Sequence, residues 1–229
     1  MTGLTGVRAC VFDAYGTLFD VHSAANALKS DIGPEADRLS MLWRDKQVGY
    51  SWLLSLMGDA YKPFWEVTQD ALDYAMEATG LADRTDLRQR LLDLYFNLEA
   101  YPEVPGMLAG LKAKGLSTAI LSNGSQDMLN GAVSSANVGG VLDAVLSVED
   151  VGIFKPAPSV YQLVMDRFGL TKRDEVLFMS SNGWDAAAAS HFGFRVVWIN
   201  RSSLPLERLP GKPVAIKSDL TGLADMIAI

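Results

Sequence analysis

Cysteine is nearly absent: Cys10 is alone in 229 residues, so no disulfide can form within the chain. It falls inside an apolar run, where a small core residue is the expected role rather than a reactive thiol. Histidine is scarce too, with only His22 and His191. Basic residues are outnumbered, 20 Lys and Arg against 27 Asp and Glu, and the formal net charge of −7 argues against a nucleic-acid or anionic-lipid footprint. Long apolar runs are missing as well. The N-terminal run is broken by Arg8 and ended by Asp13, too short for a signal segment or a membrane span. A cytoplasmic protein is expected, with no internal repeat and no low-complexity tract. What remains, 49% hydrophobic and 21% charged residues, is enough for one compact domain plus a smaller inserted one.

Five short apolar runs read as buried parallel strands, at 7–12, 116–121, 141–148, 175–180 and 195–200. Helical stretches lie between them, for example 106–114 and 159–168. Strands alternating with helices predict an α/β fold with a doubly wound, mostly parallel sheet. Residues 21–99 differ, because Leu, Met, Trp and Tyr recur at spacings of three and four with almost no strand-like run. They predict an all-helical insertion over the carboxyl ends of the strands, with 1–20 and 100–229 forming the core; Pro102 and Pro105 mark the return.

Four separated pieces should meet at that sheet edge, where open α/β sheets bind ligands. They are Asp13 with Thr17, Ser122-Asn123-Gly124, Lys155-Pro156, and the run from Ser180 through Asn182 and Trp184 to Asp185. A carboxylate ending a buried strand is rigidly presented, which suits a nucleophile; its plain alternative is a helix N-cap. Lys155 is the natural counter-charge, since an ammonium about 4 Å away is worth roughly 4 kcal/mol at an effective dielectric near 20. Neither histidine belongs to this constellation, so a histidine triad or a histidine-ligated metal is not supported.

Together the pieces resemble the haloacid dehalogenase superfamily, and in detail its L-2-haloacid dehalogenase branch. The likeness rests on FDAYGTL at 12–18, WRDKQVGYSWLLSLM at 43–57, LSNGS at 121–125, KPAPSVY at 155–161 and SSNGWD at 180–185. It implies a fold with a Rossmann-like core and helical cap, and a hydrolase turning small L-2-haloacids into D-2-hydroxyacids through an ester on Asp13. Asp185, oriented by Asn182 and coupled to Lys155, would activate water. Arg44, assisted by Asn123, would receive the halide. Ser122 and backbone N–H groups near Tyr15 would hold the substrate carboxylate, while Thr17, Ser180 and Tyr161 support the nucleophile and the ester step. Val48, Phe64 and Trp184 would wall in the halogen and alkyl group. A homodimer is also implied.

The superfamily's phosphatases carry a second Asp where this chain has Tyr15, and an extra metal-binding carboxylate where it has Ser181. A halide needs no proton to leave, and two acids beside a lysine suit Mg²⁺ poorly. No metal and no cofactor are expected. The competing readings are a hydrolase opening azetidine-2-carboxylate, a phosphatase, and a non-catalytic relative. The last would be expected to lose buried charge first, since unpaired charge in a cleft costs stability, yet Asp13, Arg44, Lys155 and Asp185 are all present.

Overall fold

The computed structural model describes residues 4–228. Strands β1 (Ala9–Phe12), β2 (Ser117–Ser122), β3 (Ala144–Ser147), β4 (Val176–Ser180), β5 (Arg195–Ile199) and β6 (Ala215–Lys217) form one parallel sheet in the order β3-β2-β1-β4-β5-β6. Apolar residues on both faces drive the middle strands inside, and β1 and β4 are buried at every position. Cys10 lies here with no exposure; burial, opposed by the Arg195 charge, pushes its thiol up to about 12, so it is an inert core residue.

Helices α1 (Ser23–Ala27), α2 (Lys29–Ile32), α3 (Ala36–Leu56), α4 (Phe64–Ala78) and α5 (Thr85–Phe96) follow β1, and α6 (Val104–Ala113), α7 (Gln126–Ser135), α8 (Pro158–Phe168) and α9 (Gly183–Phe192) flank the sheet. Helix α3, of 21 residues, is about 31 Å long. Its residues Ala36, Leu39, Trp43, Gln47 and Ser51 recur every three or four positions and are buried, several of them against α4, where the Trp43 indole donates to the Thr68 carbonyl at 2.9 Å. Arg44 and Val48 lie one position on, and so form a neighbouring stripe. The chain re-enters the core beside the loop after β1: Phe19 bridges Ala100, and Tyr101 N–H donates to the Leu18 carbonyl at 2.9 Å. Among the described residues no helix is long and apolar enough to cross a membrane.

Two expectations need correction, and one strand is additional. The run at 141–148 is a strand only from Ala144, because Gly139–Val141 forms a 3₁₀ turn and the Asp143 carboxylate accepts the Thr118 N–H at 2.8 Å. The helix expected at 106–114 begins at Val104, since Pro105 sits in a first turn that needs no N–H from it. Strand β6 was not expected; it is three residues long and partly exposed at the sheet edge, without the apolar run that marks the others.

Candidate active site

The register brings the strand ends level. Phe12 pairs with Ile120 on one side and Met179 on the other, so Asp13, Ser122 and Ser180 emerge at one edge. The Asp13 N–H continues the ladder, donating to the Met179 carbonyl at 2.9 Å. The chain then turns through Gly16, whose φ of +88° suits glycine and where a Cβ would lie 3.0 Å from Ser181 Oγ. That turn swings Thr17 back: its Oγ lies 3.2 Å from Asp13 Oδ2 and accepts the Ser181 N–H at 2.8 Å.

Lys155 Nζ lies 3.1 Å from Asp13 Oδ1 and 3.0 Å from Asp185 Oδ2. Relative exposures of 6%, 1% and 0% for Asp13, Lys155 and Asp185 put the three charges out of reach of bulk water, where pairing decides protonation. For Lys155 burial works against the charged form, but Asp13 and Asp185 outweigh it and hold the ammonium above its ordinary range. One cation cannot fully compensate two acids. Burial, with Asp13 repulsion added and Lys155 opposing, therefore raises the Asp185 carboxyl. The Tyr161 hydroxyl donates to Asp185 Oδ1 at 2.7 Å, and burial together with that neighbouring charge keeps the phenol protonated well above its usual range. Asp185 lies in the first turn of α9 but makes no capping hydrogen bond, and the residue at the N-cap position is Asn182.

Asn182 differs from expectation. Its Nδ2 donates to Asp13 Oδ2 at 2.8 Å, so it braces Asp13, and Asp185 is held instead by Lys155 and Tyr161. Arg44 Nη2 lies 3.4 Å from the Tyr15 carbonyl and 3.3 Å from Asn182 Oδ1, long contacts that tether the guanidinium loosely. Asn123 Oδ1 accepts the Lys155 N–H at 2.8 Å, which leaves its amide N–H₂ as the donor end. Ser122 Oγ accepts the Gly124 N–H at 3.0 Å, and Ser180 Oγ accepts the Asn182 N–H at 3.2 Å.

Asp13, Tyr15, Arg44, Val48, Phe64, Ser122, Asn123, Lys155, Asn182 and Trp184 line one cavity of about 20 Å³, room for roughly one water. Thr17, Tyr161, Ser180 and Asp185 stand behind that lining. Tyr15 is fixed from several sides: its ring lies 6.2 Å from Phe64 and stacks at 5.9 Å on Tyr95. Sequence reasoning missed Tyr95, which in a helical run looks like any core aromatic. It also missed Phe154, 5.9 Å from Phe64, although adjacency to Lys155 could have marked it. His22 instead contacts Ser40 at 2.8 Å. Among the described residues no three His, Cys, Asp or Glu side chains form a metal-ligand group.

A parallel sheet whose strand ends bring a carboxylate–ammonium–carboxylate cluster under a helical layer defines a class of α/β hydrolase. The haloacid dehalogenase-like hydrolase family matches residues 7–193, and the chain belongs to it. It is 51% identical over 201 residues to (S)-2-haloacid dehalogenase 1 of Pseudomonas sp. (strain CBS-3), covering 88% of each chain. It superposes with TM-score 0.95 and 43% identity on a dehalogenase solved with an intermediate complex, covering 98% of this chain and 99% of that one. The L-2-haloacid dehalogenase of Xanthobacter autotrophicus with chloropropionic acid covalently bound gives TM-score 0.87 at 37% identity, over 96% and 98% of the two chains.

Proposed function

We propose that this protein is an (S)-2-haloacid dehalogenase, converting small L-2-haloacids to D-2-hydroxyacids through an ester on Asp13. The observation that carries the reading is one buried ammonium shared by two buried carboxylates beside a cavity whose lining includes the Arg44 guanidinium. An Asp13 oxygen attacks the α-carbon, the carbon–halogen bond breaks with its electron pair leaving on the halide, and an ester C–O bond forms. Arg44 and the Asn123 amide receive the developing halide charge in a site with little water, where such donors act most strongly. Tyr15, kept neutral by burial and by Tyr95, faces the reaction as a phenol, so the position that would hold a proton-donating acid in a phosphatase supplies none.

Water then adds to the Asp13 carbonyl carbon while Asp185 takes its proton, a positioned-base effect worth about 10² to 10⁴ in rate. Collapse breaks the bond from that carbon to the ester oxygen; the alkoxide recovers the proton from Asp185 and leaves as hydroxyacid, and Asp13 sheds its own proton to solvent. Displacement from the face opposite the halogen inverts the α-carbon, and the second step leaves that C–O bond intact, so L substrate yields D product. Two easier steps replace one difficult one. Residues 21–99 act as the cap in this reading. The protein is taken as cytoplasmic and as a homodimer; the dimer is supported by Leu53, Leu56 and Met57 exposed together on and just after α3 and is measurable by light scattering.

Halide release from L-2-chloropropionate, with the D isomer and Asp13→Asn as controls, tests the activity. Turnover in H₂¹⁸O that leaves Asp13 unlabelled while halide is released would remove the ester. The same protein turning over p-nitrophenyl phosphate with Mg²⁺, and no haloacid, would make it a phosphatase.

A further inference from the structure

We infer that Arg201 is a positioning residue for Asp13, acting through the main chain of Thr17. Arg201 lies just beyond β5, outside every motif that marks the site. Its Nη2 donates to the Thr17 carbonyl at 2.9 Å and to Glu103 Oε1 at 2.7 Å. The guanidinium carbon stacks 3.6 Å from the centroid of the Tyr101 ring, and the Arg201 and Glu103 side chains are 17% and 18% exposed. Among the described residues Arg201 is the donor found for the Thr17 carbonyl.

Thr17 has two ends with separate duties. Its hydroxyl reaches Asp13 and Ser181, while its carbonyl is held by Arg201. A peptide held at the carbonyl is restrained in rotation, which limits from outside the cavity where the Thr17 Oγ can point, and with it one bracing contact of Asp13. Glu103 and Tyr101 belong to the segment by which the chain returns from the helical layer, and Tyr101 N–H is bonded to the Leu18 carbonyl. One guanidinium thus joins three segments: the end of β5, the return from the helices and the loop after β1. Lysine would replace it only in part, because one fixed nitrogen of a planar guanidinium reaches both acceptors while the group stacks flat on the ring, whereas an ammonium is a compact point charge on a flexible stem. The arrangement requires no contact between Arg201 and the substrate. Misplacement of a reacting group by about 1 Å costs about 10²-fold in rate.

The kinetic arm of the test rests on the dehalogenase reading; an exchange arm does not. For Arg201→Met and Arg201→Lys, kcat for halide release from L-2-chloropropionate is expected to fall by about 10- to 100-fold with KM within about twofold, Arg201→Lys retaining more activity than Arg201→Met. Glu103→Gln, which keeps an acceptor but removes its charge, should lose less than Arg201→Met. Hydrogen exchange of the full chain, read with no substrate present, should quicken at residues 14–20 in Arg201→Met and stay unchanged in β4. A parent that releases no halide sinks the dehalogenase reading and leaves exchange to judge Arg201. Unchanged exchange at 14–20, or a kcat within twofold of the parent in a folded Arg201→Met, overturns the inference. Should Arg201→Met not fold, Arg201→Lys carries the same criteria.

Discussion

At the scale of single residues the useful quantity is the Asp185 carboxyl, raised by burial and steadied by two donors. The Tyr161 hydrogen bond favours its ionised form, and a base must be ionised to take the water proton. Tyr161→Phe is therefore expected to raise the Asp185 value further and move the acid limb of kcat toward neutral pH; a pH–rate profile checks it, and an unmoved limb would rule Asp185 out as the titrating base. Stability carries the opposite sign. The folded chain holds the Asp185 proton more tightly than the unfolded chain, whose value is about 3.9. The stabilisation from this group is full below about pH 4 and is lost as pH rises through the raised value. Denaturant unfolding near pH 4 and near pH 7 should show that loss in the parent and less of it in Asp185→Asn. Gly124 is the other decisive single position, since a Cβ there would fall 2.6 Å from Tyr15 Cε2. Gly124→Ala is expected to cost about 1–3 kcal/mol in thermal or urea unfolding and to lower turnover, because the displaced ring is the cavity wall.

Between elements, one polar network in the buried interface of α3, α4 and α5 holds Arg44 in register. Gln47 Nε2 donates to Thr68 Oγ1 at 3.0 Å, and the Tyr95 hydroxyl donates to Gln47 Oε1 at 3.3 Å. Tyr95 in turn stacks on Tyr15, so a helix-to-helix contact reaches the cavity through one ring. Gln47→Leu leaves the Thr68 and Tyr95 hydroxyls buried and unpaired, for a loss of about 1–3 kcal/mol. Combining it with Thr68→Val and Tyr95→Phe should recover most of that loss, and urea unfolding of single and triple variants separates the cases. None of this network was legible in the sequence: Gln47, Thr68 and Tyr95 belong to three helices, and residues in separate helices announce no partner until those helices pack. The strands and motifs were legible for the converse reason. β1 and β4 are apolar on both faces, Asp13 directly follows β1, and Lys155 and Asp185 each sit in short local signatures in the segments that follow β3 and β4. β6 gives no such signal, being partly exposed and only three residues long, and the nearness of Asn182 to Asp185 along the chain does not show that its amide faces Asp13.

At the scale of the whole molecule, the cavity is bounded from two sides: Arg44, Val48 and Phe64 come from the helical layer and the remaining walls from the sheet edge. With room for roughly one water, the cavity must widen to take a substrate, and a longer acid asks for a wider separation of the two walls. That separation uncovers apolar surface at about 25 cal/mol per Å², and the cost grows with each methylene the substrate adds beyond the room available. The buried charges make it steeper. A gap wide enough for water beside Asp13 and Lys155 weakens the attraction on which both depend, since the same pair interacts far less strongly as the local dielectric rises. Selectivity for short chains is therefore expected to appear in kcat as well as in KM, because a longer substrate leaves a wetter site even when bound. From L-2-chloropropionate to L-2-chlorohexanoate, kcat/KM should fall by about tenfold or more, ~1.4 kcal/mol. Val48→Ala, which withdraws two methyl groups from the helical wall, should flatten that series mainly by improving the longer acids. Halide release across the series in both proteins measures it, and a flat profile in the parent would mean that the helical wall does not govern the size of what reacts.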